Sequence, residues 1–169
     1  FRRVDPLYAV DLTDVTRPRL IAKLKIPGFS SYLHPLGPNR LVGVGEGPTL
    51  RGGWGARVGL FDVSDLSDLR QMDVQHYDPG TSPLAARDPR SFTFIHDHRT
   101  ILTVVEEHRR SRVGHLSVLR IVDGELRNRM VQVEYGEDVD QVRAVPLPDG
   151  RVVLVTGEDV EFFELRDPS

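Results

Sequence analysis

Apolar positions in this chain come in short runs, and several of the runs alternate with polar residues. Leu20, Ala22, Leu24 and Ile26 fall on one face of an extended segment, with Lys23 and Lys25 on the other. That period of two is the mark of a half-buried strand. Similar stretches recur: 7–12, 20–26, 32–36, 41–45, 58–63, 69–74, 92–95, 101–105, 116–122, 126–133, 142–147, 152–155 and 160–165. They are rich in Val, Leu, Ile and Phe, residues that suit a pleated surface. Gly, Pro, Asp and Asn punctuate them. Asp123-Gly124 between two alternating runs is a strong signal for a two-residue hairpin turn. No stretch of a dozen residues holds a helical period, and twelve prolines and fifteen glycines are scattered throughout. The pattern predicts thirteen strands and no helix.

The strands repeat. Three segments share one form: a strand, a tight polar turn, an arginine and an apolar strand. They run over 32–42, 92–102 and 144–153, and the post-turn arginines are Arg40, Arg99 and Arg151. A second phrase, Leu60-Phe61-Asp62-Val63-Ser64-Asp65, has its best partner upstream in Tyr8-Ala9-Val10-Asp11-Leu12-Thr13-Asp14. A period of about 50 residues with four short strands is the size of one propeller blade. The fold class expected is all-β, a partial β-propeller. It has two complete four-stranded blades, 30–77 and 90–134, and incomplete blades at both ends, 7–26 and 141–166. Two full blades and two partial ones cannot close a ring, because propellers close with four to eight. The expectation is therefore a segment of a larger propeller. Its strand edges would be protected by remaining blades or by further copies of the same chain.

The phrases Asp5-Pro6-Leu7-Tyr8-Ala9-Val10-Asp11-Leu12 and Ile26-Pro27-Gly28-Phe29-Ser30-Ser31-Tyr32-Leu33-His34-Pro35-Leu36 carry a resemblance. Leu60–Asp65 and Asp88-Pro89-Arg90-Ser91-Phe92 fit the same pattern. The chain resembles the C-terminal part of a family of secreted bacterial and archaeal β-propeller-domain proteins, over most of its length and less so after about residue 110. The resemblance implies an extracytoplasmic β-propeller of unassigned activity. It brings no catalytic residues with it.

Composition narrows the chemistry. The chain has 169 residues with 39% hydrophobic and 28% charged residues, a balance typical of a globular protein. A net charge of -3 argues against a nucleic-acid partner, which usually calls for a basic surface. No apolar run reaches the roughly 18 residues that a membrane-spanning helix needs. The absence of cysteine excludes disulfides, thiol catalysis and cysteine-ligated metal. Twenty arginines stand against two lysines, a bias read here as genomic composition. The chain starts at Phe1 without a signal-peptide pattern, which reads as a piece of something longer.

In a propeller, short turns gather on one face and long loops on the other. The long connections here are 45–56, 76–90, 106–114 and 135–140, and loops on a rigid scaffold are where binding usually lives. The expected site therefore lies on that face, with Trp54, His76, Asp88, Arg90, Asp138 and Asp140 as candidate ligand-binding residues. Trp54 sits in the glycine-rich loop Arg51–Gly55, suited to a sugar ring or to plugging back onto the fold. His34, near the end of an innermost strand, is a candidate for a channel-facing ligand or proton-transfer group. The acidic residues Glu137, Asp138 and Asp140, with Asp78 and Asp88 one repeat earlier, are the candidates for calcium. Their spacing is not that of a dedicated calcium loop, and Asp in turns usually bonds its own backbone. The expected cofactor set is therefore none, with Ca²⁺ as the alternative. His96-Asp97-His98 has a chelating spacing, but it falls in a short turn and reads as a polar turn. The basic stretch His108–Arg112 reads as a solvated loop, with a phosphate or acidic glycan as the alternative partner. No nucleophile elbow and no HExxH occur. The functional expectation is a binding or interaction module for a protein or glycan. The alternative is a metal-assisted hydrolase or lyase working at the central channel.

Overall fold

The computed structural model describes residues 5–108, 113–134, 141–157 and 159–165. The structure is all-β. Among the described residues, fourteen strands form four antiparallel sheets. The first is a hairpin of β1 (Leu7–Asp11) and β2 (Arg19–Leu24). The second is a four-stranded meander of β3 (Phe29–Pro35), β4 (Arg40–Pro48), β5 (Trp54–Asp62) and β6 (Arg70–His76). The third, central sheet holds β7 (Thr81–Pro83), β8 (Phe92–Ile95), β9 (Thr100–Glu107), β10 (Val113–Val122) and β11 (Glu125–Glu134). The fourth is β12 (Arg143–Pro146), β13 (Arg151–Val155) and β14 (Val160–Glu164). No closed ring of sheets is seen among the described residues.

The central sheet is covered on both faces, and the sequence shows why it must be. Ile101-Leu102-Thr103-Val104-Val105 is apolar at four of five positions, on both sides of the strand, so both faces of β9 need burial. Ile101 and Val105, with Leu119 and Ile121 of β10, pack against Val42, Val44, Ala56, Val58 and Leu60 of the meander. Leu102, Val104, Leu116 and Val118 point the other way, onto Ala144, Val152 and Leu154 of the fourth sheet and Val142 just before it. Each fully buried aliphatic side chain contributes about 1.5–3 kcal/mol of transfer free energy. Two layers of such residues therefore hold three sheets face to face. The β1–β2 hairpin is the contrast, with Tyr8, Val10, Leu12, Leu20 and Ile21 all exposed.

The innermost strand of the central sheet is split. Thr81–Pro83 pairs with Glu107–Val105, and Phe92–Ile95 pairs with Thr103–Thr100. Only Val104 lies between the two pairings, opposite the excursion 84–91, which folds as two single 3-10 turns. The meander has a small counterpart. Its β3 carries a bulge between Ser30 and Tyr32, after four pairs counted from the inner turn, as in β8. A one-residue irregularity in one repeat is thus an eight-residue wedge in the next. Leu84 enters the core on the side of the fourth sheet, and Ala85 enters the core on the side of the meander.

Three expectations shift with these facts. The connection expected over 45–56 is only Thr49–Gly53, because β4 and β5 extend through the glycines. Trp54 is accordingly the first residue of a strand and not a loop tip. The connection 76–90 is not free loop, since it contains β7 and both 3-10 turns.

Charged groups tie the excursion down. Arg87 donates to both oxygens of Glu106 at 2.5 and 2.8 Å, and Ser82 Oγ donates to the same carboxylate at 2.8 Å. The Arg87 hydrogen bonds, ahead of that from Ser82, hold the Glu106 carboxyl below the usual carboxylate range. A folded pKa below the unfolded one stabilises fully above the ordinary value of about 4.3. That contribution is lost as pH falls through the folded value. We expect urea midpoints to fall more steeply with acid below about pH 5 in the native chain than in Glu106→Gln. Equal slopes would show that the pair does not contribute.

A polar cleft between the meander and the central sheet

At the end where β4 turns into β5 and β6 leads on to β7, the meander and the central sheet leave a cleft of about 430 Å³ between them. From the meander side it is lined by Thr49, Leu50 and Arg51 of the β4–β5 connection, and by Gln75 and His76 at the end of β6. Tyr77, Asp78 and Pro79 follow directly. The central sheet contributes Glu107, His115, Asn128 and Met130.

The register explains why these last residues meet. The two-residue turn at Asp123-Gly124 fixes Val122 opposite Glu125, and counting back places Leu119 opposite Asn128 and Ser117 opposite Met130. The β9–β10 register places His115 opposite Val105. Alternation then turns Val105, Glu107, His115 and Ser117 toward the meander.

The floor is a chain of hydrogen bonds. Tyr77, arriving from the crossover, reaches across to blade-facing Ser117, with Tyr77 Oη and Ser117 Oγ 2.6 Å apart. Ser117 Oγ donates to Asn128 Oδ1 at 2.7 Å. Burial pushes the Tyr77 phenol well above its ordinary pKa, so it stays neutral and serves as a fixed polar cross-link. The walls carry paired polar groups. Glu107 faces His115 Nδ1 at 3.4 Å, and Arg51 donates to Asp78 at 3.1 Å. Leu50 stands at the mouth, 86% exposed. The result is a concave site with carboxylate, imidazole, amide and hydroxyl groups around a small apolar rim.

Of the residues expected from the sequence, His76 and the calcium candidate Asp78 line this cleft. Trp54 lies half-buried outside its lining, its indole N–H donating to Glu46 at 3.1 Å and its ring tilted against Phe29 at 6.3 Å. Asp88 and Arg90 sit elsewhere, in the excursion. The Asp88 carboxylate caps the second 3-10 turn by accepting from the Arg90 backbone, takes the Arg90 side chain at 2.9 Å, and takes Arg143 of the fourth sheet at 2.6 Å. The Arg90 hydrogen bond first, then its other partners, lowers the Asp88 pKa. His34 stands on β3, with Nδ1 3.0 Å from Tyr32 Oη and its ring 4.7 Å from Phe92. Burial first, and His96 second, lowers its pKa. Glu137, Asp138 and Asp140 lie outside the described residues, as do Arg109, Arg110, Ser111 and Arg112. His96, Asp97 and His98 occupy the turn between β8 and β9. Among the described residues, no three His, Asp or Glu side chains are grouped to hold a metal ion.

Glu107, His115 and Asn128 are among the cleft residues that sequence reasoning did not single out. The signal was present in the hairpin register, which a two-residue Asp-Gly turn determines.

Repeated antiparallel meanders stacked face to face define an all-β repeat protein of the propeller type. The sequence model of the Beta propeller domain matches residues 1–147, and the chain belongs to that family. Among its relatives is an uncharacterised protein of Methanocaldococcus jannaschii, 31% identical over 108 residues, covering 64% of this chain and 17% of the relative. Another is an uncharacterised protein of Archaeoglobus fulgidus, 41% identical over 71 residues, covering 42% of this chain and 11% of the relative. The chain thus spans less than a fifth of the length of these relatives. No solved structure matches it.

Proposed function

We propose that the chain is a binding module, part of a larger propeller completed by further blades or further copies, and that its ligand surface is the cleft on the long-loop side. The observation that carries this reading is the cleft itself. Side chains from two separately folded sheets meet there around about 430 Å³, within the range of small-ligand sites. A cross-sheet hydrogen-bond chain from Tyr77 through Ser117 to Asn128 holds its floor. Pre-organised amide and carboxylate groups suit the hydroxyls of a glycan or the backbone of a protein segment. The family membership supports an interaction role, and the resemblance supports an extracytoplasmic setting.

The test is a titration of the ¹⁵N-labelled chain with a panel of oligosaccharides and extended peptides. Binding should perturb Thr49, Gln75, Asp78, Glu107 and His115 together, and Asn128→Ala should weaken it about tenfold, as expected for loss of a buried ligand hydrogen bond. Ligands whose perturbations centre outside the cleft would overturn the assignment. Turnover of a ligand on addition of a divalent metal would favour the hydrolase or lyase reading instead.

A further inference from the structure

The arginine that follows each inner turn has a partner in two repeats out of three. Arg40 Nη1 lies 2.7 Å from Asp62, and Arg151 Nη2 lies 2.7 Å from Asp149. The Arg99 side chain has no hydrogen bond or ion pair among the described residues. It also has a left-handed backbone, with φ of 46°, a conformation unfavourable for a residue other than glycine. Its carbonyl accepts from the Ile121 backbone N–H at 2.9 Å, which brings the turn of β10–β11 alongside. Asp123 of that turn is the second left-handed residue other than glycine, φ 51°, and its carboxylate too is unpaired among the described residues.

Both residues line a second cavity, of about 360 Å³, between the meander and the central sheet at the end opposite the cleft. Its apolar side is formed at the surface by Leu36, Met72 and Phe94, with Leu60 and Ile121 buried beneath them. Arg40 is also at this wall but is committed to Asp62. An exposed cation and an exposed anion, each without a protein partner among the described residues, therefore share one small space with a partly apolar wall.

We propose that this cavity binds a free apolar α-amino acid. The ligand carboxylate meets the Arg99 guanidinium, whose planar fork matches it in a bidentate pair. The ammonium meets Asp123, and the side chain lies on Leu36, Met72 and Phe94. A simple fatty or aromatic acid fits less well, because it would press hydrocarbon against Asp123 and leave that carboxylate unpaired. An inorganic anion would leave the apolar wall unused. The site is on the opposite end from the cleft, so it stands or falls separately from the binding role proposed there.

The experiment is an NMR titration of the chain with L-leucine, and with leucinamide and N-acetyl-leucine, which lack the carboxylate and the ammonium respectively. Leucine should give saturable shifts at Phe94, Arg99, Ile121 and Asp123, and each analogue should bind about tenfold more weakly, as for loss of one charge-assisted pair. The variants Arg99→Asn and Asp123→Asn suit these positions, because asparagine tolerates the left-handed backbone and Asn-Gly keeps the hairpin turn. Arg99→Asn should abolish the preference for leucine over leucinamide. Asp123→Asn should abolish the preference over N-acetyl-leucine. No saturable shift up to the solubility of leucine, shifts centred elsewhere, preferences that survive both variants, or tighter binding of N-acetyl-leucine would each overturn the proposal, the last by pointing to a peptide C-terminus.

Discussion

Replacing Gly28 by valine is expected to cost about 3 kcal/mol of stability, lowering the thermal midpoint by about 10 °C in a chain of this size. Two effects add. Gly28 has φ of +94°, a left-handed backbone that costs a residue with a side chain about 1–2 kcal/mol. A Cβ there would also stand 2.2 Å from the Glu46 carbonyl oxygen and 2.7 Å from Gly47 Cα. Both are backbone atoms of β4, so relief requires β3 and β4 to part at the pair Phe29–Glu46, and overpacking of this kind costs about 1–3 kcal/mol. The control is Gly37→Ala. Gly37 has a similar φ of +79°, but nothing lies within 4 Å of its Cβ position. It should lose only the conformational part, about 1 kcal/mol. Urea and thermal unfolding of the two variants separate strain from close approach. Equal losses would show that β4 does not press on Gly28.

The sequence discloses strands wherever side-chain alternation and turn chemistry agree. Leu116–Val122 and Leu126–Val133 are legible as a hairpin because Asp123-Gly124 supplies the left-handed turn residues between two apolar runs. The ends of β4 and β5 are not legible, because Gly45, Gly47 and Gly55 look like loop. They are strand residues for a reason that only the assembled fold provides: a Cβ on Gly55 would meet the Asp78 carbonyl at 2.4 Å. The three-residue β7 is invisible for a similar reason. Thr81-Ser82-Pro83 has no apolar pattern, and its strand conformation comes from pairing with Glu107, Glu106 and Val105 far along the chain. The candidate site shows the same division. His76 follows from loop length, but Glu107, His115 and Asn128 reach the cleft through two registers and a sheet-to-sheet packing. The cavity at Arg99 was hidden by the rule that sites follow long loops. The repeat did mark its arginine, but whether that arginine has a carboxylate partner is a fact of three dimensions.

The excursion 84–91 looks like a surface loop in sequence, and its behaviour on truncation distinguishes a loop from a core element. Leu84 has no exposed surface and packs with Leu102, Val104 and Leu116. Leu84→Ala should therefore cost about 3 kcal/mol, within the range for leucine truncation in rigid cores, where the cavity adds to the lost transfer energy. Leu50→Ala, at a position 86% exposed on a true loop, should change stability by less than about 0.5 kcal/mol. The site of the damage matters as much as its size. Leu84 belongs to the core shared with the fourth sheet, and Asp88 of the same excursion bonds Arg143 at the start of β12. Loosening the wedge should raise amide exchange in β12 and β13 before it does so in β4 and β5, because opening free energies follow local packing. A small loss for Leu84→Ala, or exchange that rises uniformly, would show that the fourth sheet is held by Val142, Ala144, Val152 and Leu154 alone and that the excursion merely decorates the split strand.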